Sequence, residues 1–103
     1  MFENFLEILE QQGGSVRAYE ACAEAARSYM HETPETAAAC FVIASAARKF
    51  VDSYDDQPLS SVAAKQEYEA FKADIRALGE AYGKGTDSDR LAALNRMAER
   101  IAG

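Results

Sequence analysis

The chain has 103 residues, of which 49% are hydrophobic and 27% are charged, and its formal net charge is −6 at pH 7. This length predicts one folded domain, residues 1–103, with a sizeable core, and the composition excludes an intrinsically disordered chain. An acidic surface repels phosphate backbones and anionic lipids, so we expect neither nucleic acid nor a membrane as a partner.

Targeting and redox signals are sparse. No basic stretch followed by a long apolar run is present, and no stretch approaches the roughly 18 apolar residues of a membrane span, so we expect a soluble cytoplasmic protein. Cys22 and Cys40 fall within helical patterns, where small buried thiols are common. In an antiparallel helix pair that turns near Thr33 the two would be offset by about 5 Å, so we expect no disulfide.

The first two predicted helices cover about residues 2–12 and 16–31. Gly13 and Gly14 end the first helix, and Ser15 is a natural N-cap for the second. The apolar residues of the first helix share one face: Phe2, Phe5, Leu6 and Leu9. The apolar stripe of the second helix is formed by Val16, Tyr19, Ala23, Ala26 and Met30.

The third and fourth helices are predicted on either side of a connection at residues 54–58. Thr33-Pro34-Glu35 combines a capping hydroxyl, a proline at the first helical position and an acid in the first turn, which predicts a helix start. This third helix runs to about residue 53. The fourth covers about residues 59–82, with a heptad-like seam of Ala64, Tyr68, Phe71, Ile75, Leu78 and Tyr82.

The last helix follows the break at residues 83–85 and is capped by Thr86 or Asp87. Its predicted apolar stripe is Leu91, Leu94, Ala98 and Ile101, with Met97 beside it. Short connections favour antiparallel packing of successive helices. The sequence therefore predicts an all-α fold: an antiparallel helical bundle of four main helices plus a short N-terminal helix.

The N-terminal half of the third helix has more apolar surface than one seam requires. Cys40, Ile43 and Ala47 form its main stripe, whereas Phe41 and Val42 point away from that stripe. Leaving both side chains in water would forgo roughly 1.5–3 kcal/mol each. The first or last helix of the same chain could cover them, or a second subunit could, and the sequence leaves both arrangements open.

We expect a small protein-interaction or regulatory module, self-associating as a homodimer or bound to another protein through this face. The candidate interface residues are Ala37, Ala38, Phe41, Val42 and Ser45. The alternative is a small-molecule-binding bundle with an inter-helix pocket rimmed by Tyr19, Phe41 and Tyr68.

The residues argue against an enzyme without excluding one. His31 is the only histidine, and Cys22 lies about 13 Å from it along the same helix, too far for a nucleophile–base pair. No second histidine exists to complete a metal site in a helical bundle. We therefore expect no catalytic residues, no metal and no cofactor.

Overall fold

The computed structural model describes residues 1–56 and 60–103, and within these ranges the chain is almost wholly helical and contains no β-strand. The five α-helices are α1 (Phe2–Gln11), α2 (Val16–Glu32), α3 (Ala37–Asp56), α4 (Ser61–Lys84) and α5 (Asp87–Ala102). The predicted all-α fold is confirmed, with α2 to α5 as the main helices and α1 as the short one.

Polar side chains fix the helix starts. The Ser15 hydroxyl accepts a hydrogen bond from the Ala18 N–H over 3.3 Å, as an N-cap does. At the start of α5, Thr86 and Asp89 form a capping box, in which the side chain of each accepts the backbone N–H of the other. Of the two predicted caps for α5, Thr86 is therefore the one used.

The turn between α1 and α2 needs glycine. Gly13 and Gly14 have φ values of +63° and +69°, a region that side chains with a Cβ avoid. Gly14 also lies against the ring of Tyr68, where an added Cβ would come within 3.0 Å of ring carbons. This contact seats α4 against the turn.

The boundaries of α3 differ from the prediction at both ends. A 3₁₀ turn at Pro34–Thr36 precedes the α-helix, which begins at Ala37, and the Thr33 side chain makes no capping hydrogen bond. At its other end α3 continues through Tyr54 to Asp56, so the predicted stop near residue 53 was wrong. The rest of the predicted connection, Gln57 and Pro58, and the predicted α4 start at Leu59 lie outside the described residues.

The core lies where α2 packs along α3, with α1 on α2 and α4, and α5 on α3 and α4. Small residues on α2 and α3 let these two helices approach closely. By contrast, α3 and α4 scarcely touch each other. The largest fully buried side chains are Phe5, Leu9, Tyr19, Cys22, Cys40, Ile43, Ile75, Leu78 and Met97.

The buried face of α5 is rotated from the predicted stripe. Met97 is buried with Ala93 and Leu94 packed beside it, whereas Leu91 is 58% exposed and Ala98 is exposed. Because α5 lies against both α3 and α4, the face that meets them is centred on Met97.

Candidate functional site

The predicted interface residues lie together on the outer face of the N-terminal half of α3. We call this face, formed by Ala37, Ala38, Phe41, Val42 and Ser45, the Phe41 surface. Phe41 is 60% exposed and Ala38 is exposed, while the other three are half-buried. Phe41 is thus one of the few large apolar side chains that the described part of the chain leaves in water.

Neither α1 nor α5 covers Phe41. Val42 packs against the edge of the core, so only one of the two bulky side chains is bare. The last helix does lie on α3, but at its C-terminal half: the Lys49 ammonium donates hydrogen bonds to the carbonyls of Arg100 (3.1 Å) and Ile101 (2.7 Å).

Phe41 forms part of the wall of an open groove of about 800 Å³ between α2 and α3. Ile101, near the end of α5, also lines this groove. The groove has an apolar lining of Met30, Phe41, Ala44 and Ile101. Its charged lining residues are Arg27, Arg48, Lys49 and Asp52. Basic side chains therefore outnumber acidic ones here, although the whole chain has a net charge of −6.

The predicted pocket residues are not all neighbours. Tyr19 and Tyr68 meet edge to face, with ring centroids 6.5 Å apart. Phe41 lines the groove described above instead, and that groove contains neither tyrosine. The structure therefore brings together two of the three residues.

A second cavity, of about 440 Å³, lies between α3, α4 and α5; we call it the inter-helix cavity. The Tyr19 ring reaches from α2 into the space between α3 and α4 and stacks on Phe50 of α3 and Phe71 of α4. This insertion explains why α3 and α4 scarcely touch. The apolar side chains that line the cavity include Tyr19, Ala46, Phe50, Phe71 and Met97.

Asp74 is a buried carboxyl group on the wall of this cavity. The residue is 6% exposed, and its Oδ2 lies 2.8 Å from Nε of Arg100. Arg96 lies farther away, at 3.9 Å from Oδ1. Burial raises the pKa of Asp74, and the positive charges of Arg100 and Arg96 oppose that rise.

Among the described side chains, the packing leaves the buried hydroxyl group of Tyr19 unsatisfied. Tyr19 is 1% exposed, and its Oη has no hydrogen-bond partner among the atoms that the structure describes. Burial raises the pKa of Tyr19 strongly, with a smaller contribution from the negative charge of Glu67. The phenol is therefore protonated at neutral pH.

The two cysteines are free, buried thiols, as the sequence predicted. Burial raises the pKa of Cys22 to about 12. It also raises the pKa of Cys40, with a hydrogen bond from Thr36 acting in the opposite direction. Both groups stay protonated near neutral pH, and a thiol in that state is a poor nucleophile.

The described residues contain neither a cluster of metal ligands nor a helix that could span a membrane. The described side chains, those of residues 1–54 and 60–103, include no group of three or more His, Cys, Asp or Glu placed to bind a metal ion. Among these same residues, no helix combines the length and apolar character that crossing a bilayer requires.

Sequence reasoning missed the polar lining of the inter-helix cavity: Lys49, Glu67, Asp74 and Arg100. One signal for Asp74 was present, since it falls three residues after Phe71 and four before Leu78, on the buried side of α4. Lys49, Glu67 and Arg100 lie on α3, α4 and α5, and their convergence depends on how those helices pack.

Comparisons of the chain with models of protein families, with curated proteins and with solved structures gave no match.

Proposed function

We propose that this chain is a small protein-interaction module that pairs with a second copy of itself through the Phe41 surface. The observation that supports the proposal most is the bare phenylalanine ring, which lies among small residues on the outside of α3. Ala37, Ala38 and Ser45 permit close approach of a second helix. A two-fold pairing of identical surfaces would bury both rings at once.

The charges at the two ends of this surface suit an antiparallel pairing. Glu35 is exposed just before α3 and makes no ion pair within the part of the chain that the structure describes. Arg48 is half-exposed toward the other end, and its contact with Asp52, at 3.9 Å, is a weak surface pair.

Glu35, in the 3₁₀ turn before α3, and Arg48, on α3, are equally distant in sequence from the midpoint between Phe41 and Val42. Each lies roughly 10 Å from that midpoint along the chain direction. A two-fold axis through that midpoint would place Glu35 of each copy at the same level along the interface as Arg48 of the other. Self-pairing is therefore favoured by charge as well as by apolar burial.

The expected dimer is weak and reversible. Stable interfaces bury about 800 Å² on each partner, whereas the Phe41 surface presents one large exposed side chain on a chain of 6199 Å² total surface. We therefore expect a dissociation constant on the order of micromolar.

Charge reversal tests the proposal. Glu35→Arg and Arg48→Glu should each weaken dimerisation in sedimentation velocity, and the double variant should restore it. Arg76→Glu, an exposed reversal on α4, is the matched control and should leave the mass unchanged. Single reversals without effect, or a double variant that stays monomeric, would refute the antiparallel pairing.

A further inference from the structure

We propose that the inter-helix cavity binds a small amine with an apolar body of about the size of one aromatic ring. The proposal concerns a different site from the Phe41 surface and does not depend on self-association.

The cavity has the composition of a small-molecule site. Its volume of about 440 Å³ lies within the range of about 300–1,000 Å³ found for ligand pockets. The stacked rings of Phe50, Tyr19 and Phe71 form apolar walls, and Met97 adds a polarisable one. In such sites, a few polar side chains on an otherwise apolar lining orient the bound molecule.

The two cations of the lining already have partners. Lys49 donates to the carbonyls of Arg100 and Ile101 at the end of α5, and the Arg100 guanidinium pairs with Asp74. Glu67 also lines the cavity, and the described residues give it neither an ion pair nor a side-chain hydrogen bond. The Lys49 ammonium lies at the negative, C-terminal end of the α5 helix dipole, and the Arg100 guanidinium is paired with Asp74. Glu67 is therefore the charged group of the lining without a partner among the described residues, and it favours a cationic ligand group.

The Tyr19 hydroxyl is a second group without a partner, and it is buried. Buried hydroxyl groups in folded proteins are nearly always hydrogen-bonded, so an orphan at the wall of a cavity calls for a partner. Glu67 lies one helical turn before Phe71 on α4, and the Tyr19 ring stacks on Phe71, so Glu67 and Tyr19 line the same part of the cavity. A small shift of the side chains beside the hydroxyl would admit a ligand atom.

An ammonium group satisfies both residues. It has hydrogen-bond donors for the Glu67 carboxylate and for the lone pairs of the Tyr19 oxygen. A neutral hydroxyl group could donate to the Glu67 carboxylate but would lack the attraction of an opposite charge, and a ligand carboxylate would be repelled by Glu67. The apolar body would then lie against Phe50, Phe71 and Met97.

Calorimetric titration with three probes of one shape tests this inference: 2-phenylethylamine, 2-phenylethanol and phenylacetate. We expect the amine to bind at least about tenfold more tightly than the alcohol, since only the ammonium group adds an opposite charge to its hydrogen bond with the Glu67 carboxylate. On addition of the amine, the backbone amide chemical shifts of Ala46, Phe50 and Phe71 should change in NMR spectra. Absence of amine binding at millimolar concentration, or equal binding of the alcohol or the carboxylate, would overturn the proposal.

Two variants locate the amine. Tyr19→Phe and Glu67→Gln should each weaken binding by about tenfold. Glu80→Gln, on α4 but outside the cavity, is the control and should bind normally. Tyr19→Phe keeps the ring stack, and a thermal melt checks that it folds. Binding that survives both substitutions would also overturn the assignment.

Discussion

Tyr19 and Phe50 stack with ring centroids 3.9 Å apart and planes inclined by 13°. The Tyr19 ring also stacks on Phe71, with ring centroids 5.3 Å apart. A residue of α2 thus serves as the spacer between α3 and α4, and the inter-helix cavity exists because these two helices are held apart. The stack stabilises the packing, whereas the buried hydroxyl of Tyr19 opposes it.

Removing that hydroxyl should stabilise the protein. Tyr19→Phe keeps the stacked ring and deletes a buried polar atom without a partner among the described residues, so we expect the free energy of unfolding to rise by about 1 kcal/mol or more. Urea denaturation measures the change. Tyr19→Ala is the comparison and should cost about 3–5 kcal/mol, as loss of a large buried aromatic side chain does. A destabilised Tyr19→Phe would show that the hydroxyl has a partner after all.

Gly14 should tolerate substitution less well than Gly13. Both residues have positive φ, so alanine at either position should cost about 1 kcal/mol of backbone strain. At Gly14 the new methyl group would also meet the Tyr68 ring at 3.0 Å, whereas nothing lies within 4 Å at Gly13. Gly14→Ala should therefore have the lower melting temperature of the two. Equal melting temperatures would mean that Tyr68 moves aside freely.

Asp74 should give stability a dependence on pH. Its pKa in the folded state is raised by burial, so the unfolded chain loses the proton first as the pH rises from about 4. The contribution of Asp74 to stability is therefore full below its unfolded pKa and falls as the pH passes through the raised folded pKa. Urea denaturation across this window should show the loss in the native sequence and not in Asp74→Asn.

Arg100→Ala provides the check on this prediction. Loss of the guanidinium at 2.8 Å removes a charge that opposes the effect of burial, so the pKa of Asp74 should rise further. NMR titration of the Asp74 carboxyl group would follow the shift directly. A folded-state pKa below the ordinary value for aspartate would contradict the burial argument.

Helix positions were predictable from the sequence because they depend on local signals. The paired glycines at 13 and 14, the Ser15 cap and the Thr86 cap each act within a few residues, and each lies where it was expected. The extension of α3 to Asp56 was missed because several polar residues in a row were interpreted as a connection. Continuation of the preceding helix, which adds residues to an existing helix at little cost, outweighed that local composition.

The candidate sites were less predictable because they depend on how helices rotate and cross. Periodicity correctly separated Phe41 from the main stripe, but it could not show that Val42 would reach the core edge. It also placed Leu91 inside, although α5 turns Met97 inward instead. The meeting of Glu67 and Asp74 with Lys49 and Arg100 at one cavity involves three helices, and no local pattern encodes it.

The proposed self-association is tested most directly by sedimentation equilibrium of the chain over a range of concentrations. We predict a reversible rise from the mass of one chain to that of two, which Phe41→Glu abolishes while remaining folded. The control is Leu91→Glu, because Leu91 is 58% exposed and Phe41 is 60% exposed. This substitution should leave the rise in mass with concentration unchanged. A single-chain mass at every concentration, or equal effects of the two substitutions, would contradict the account.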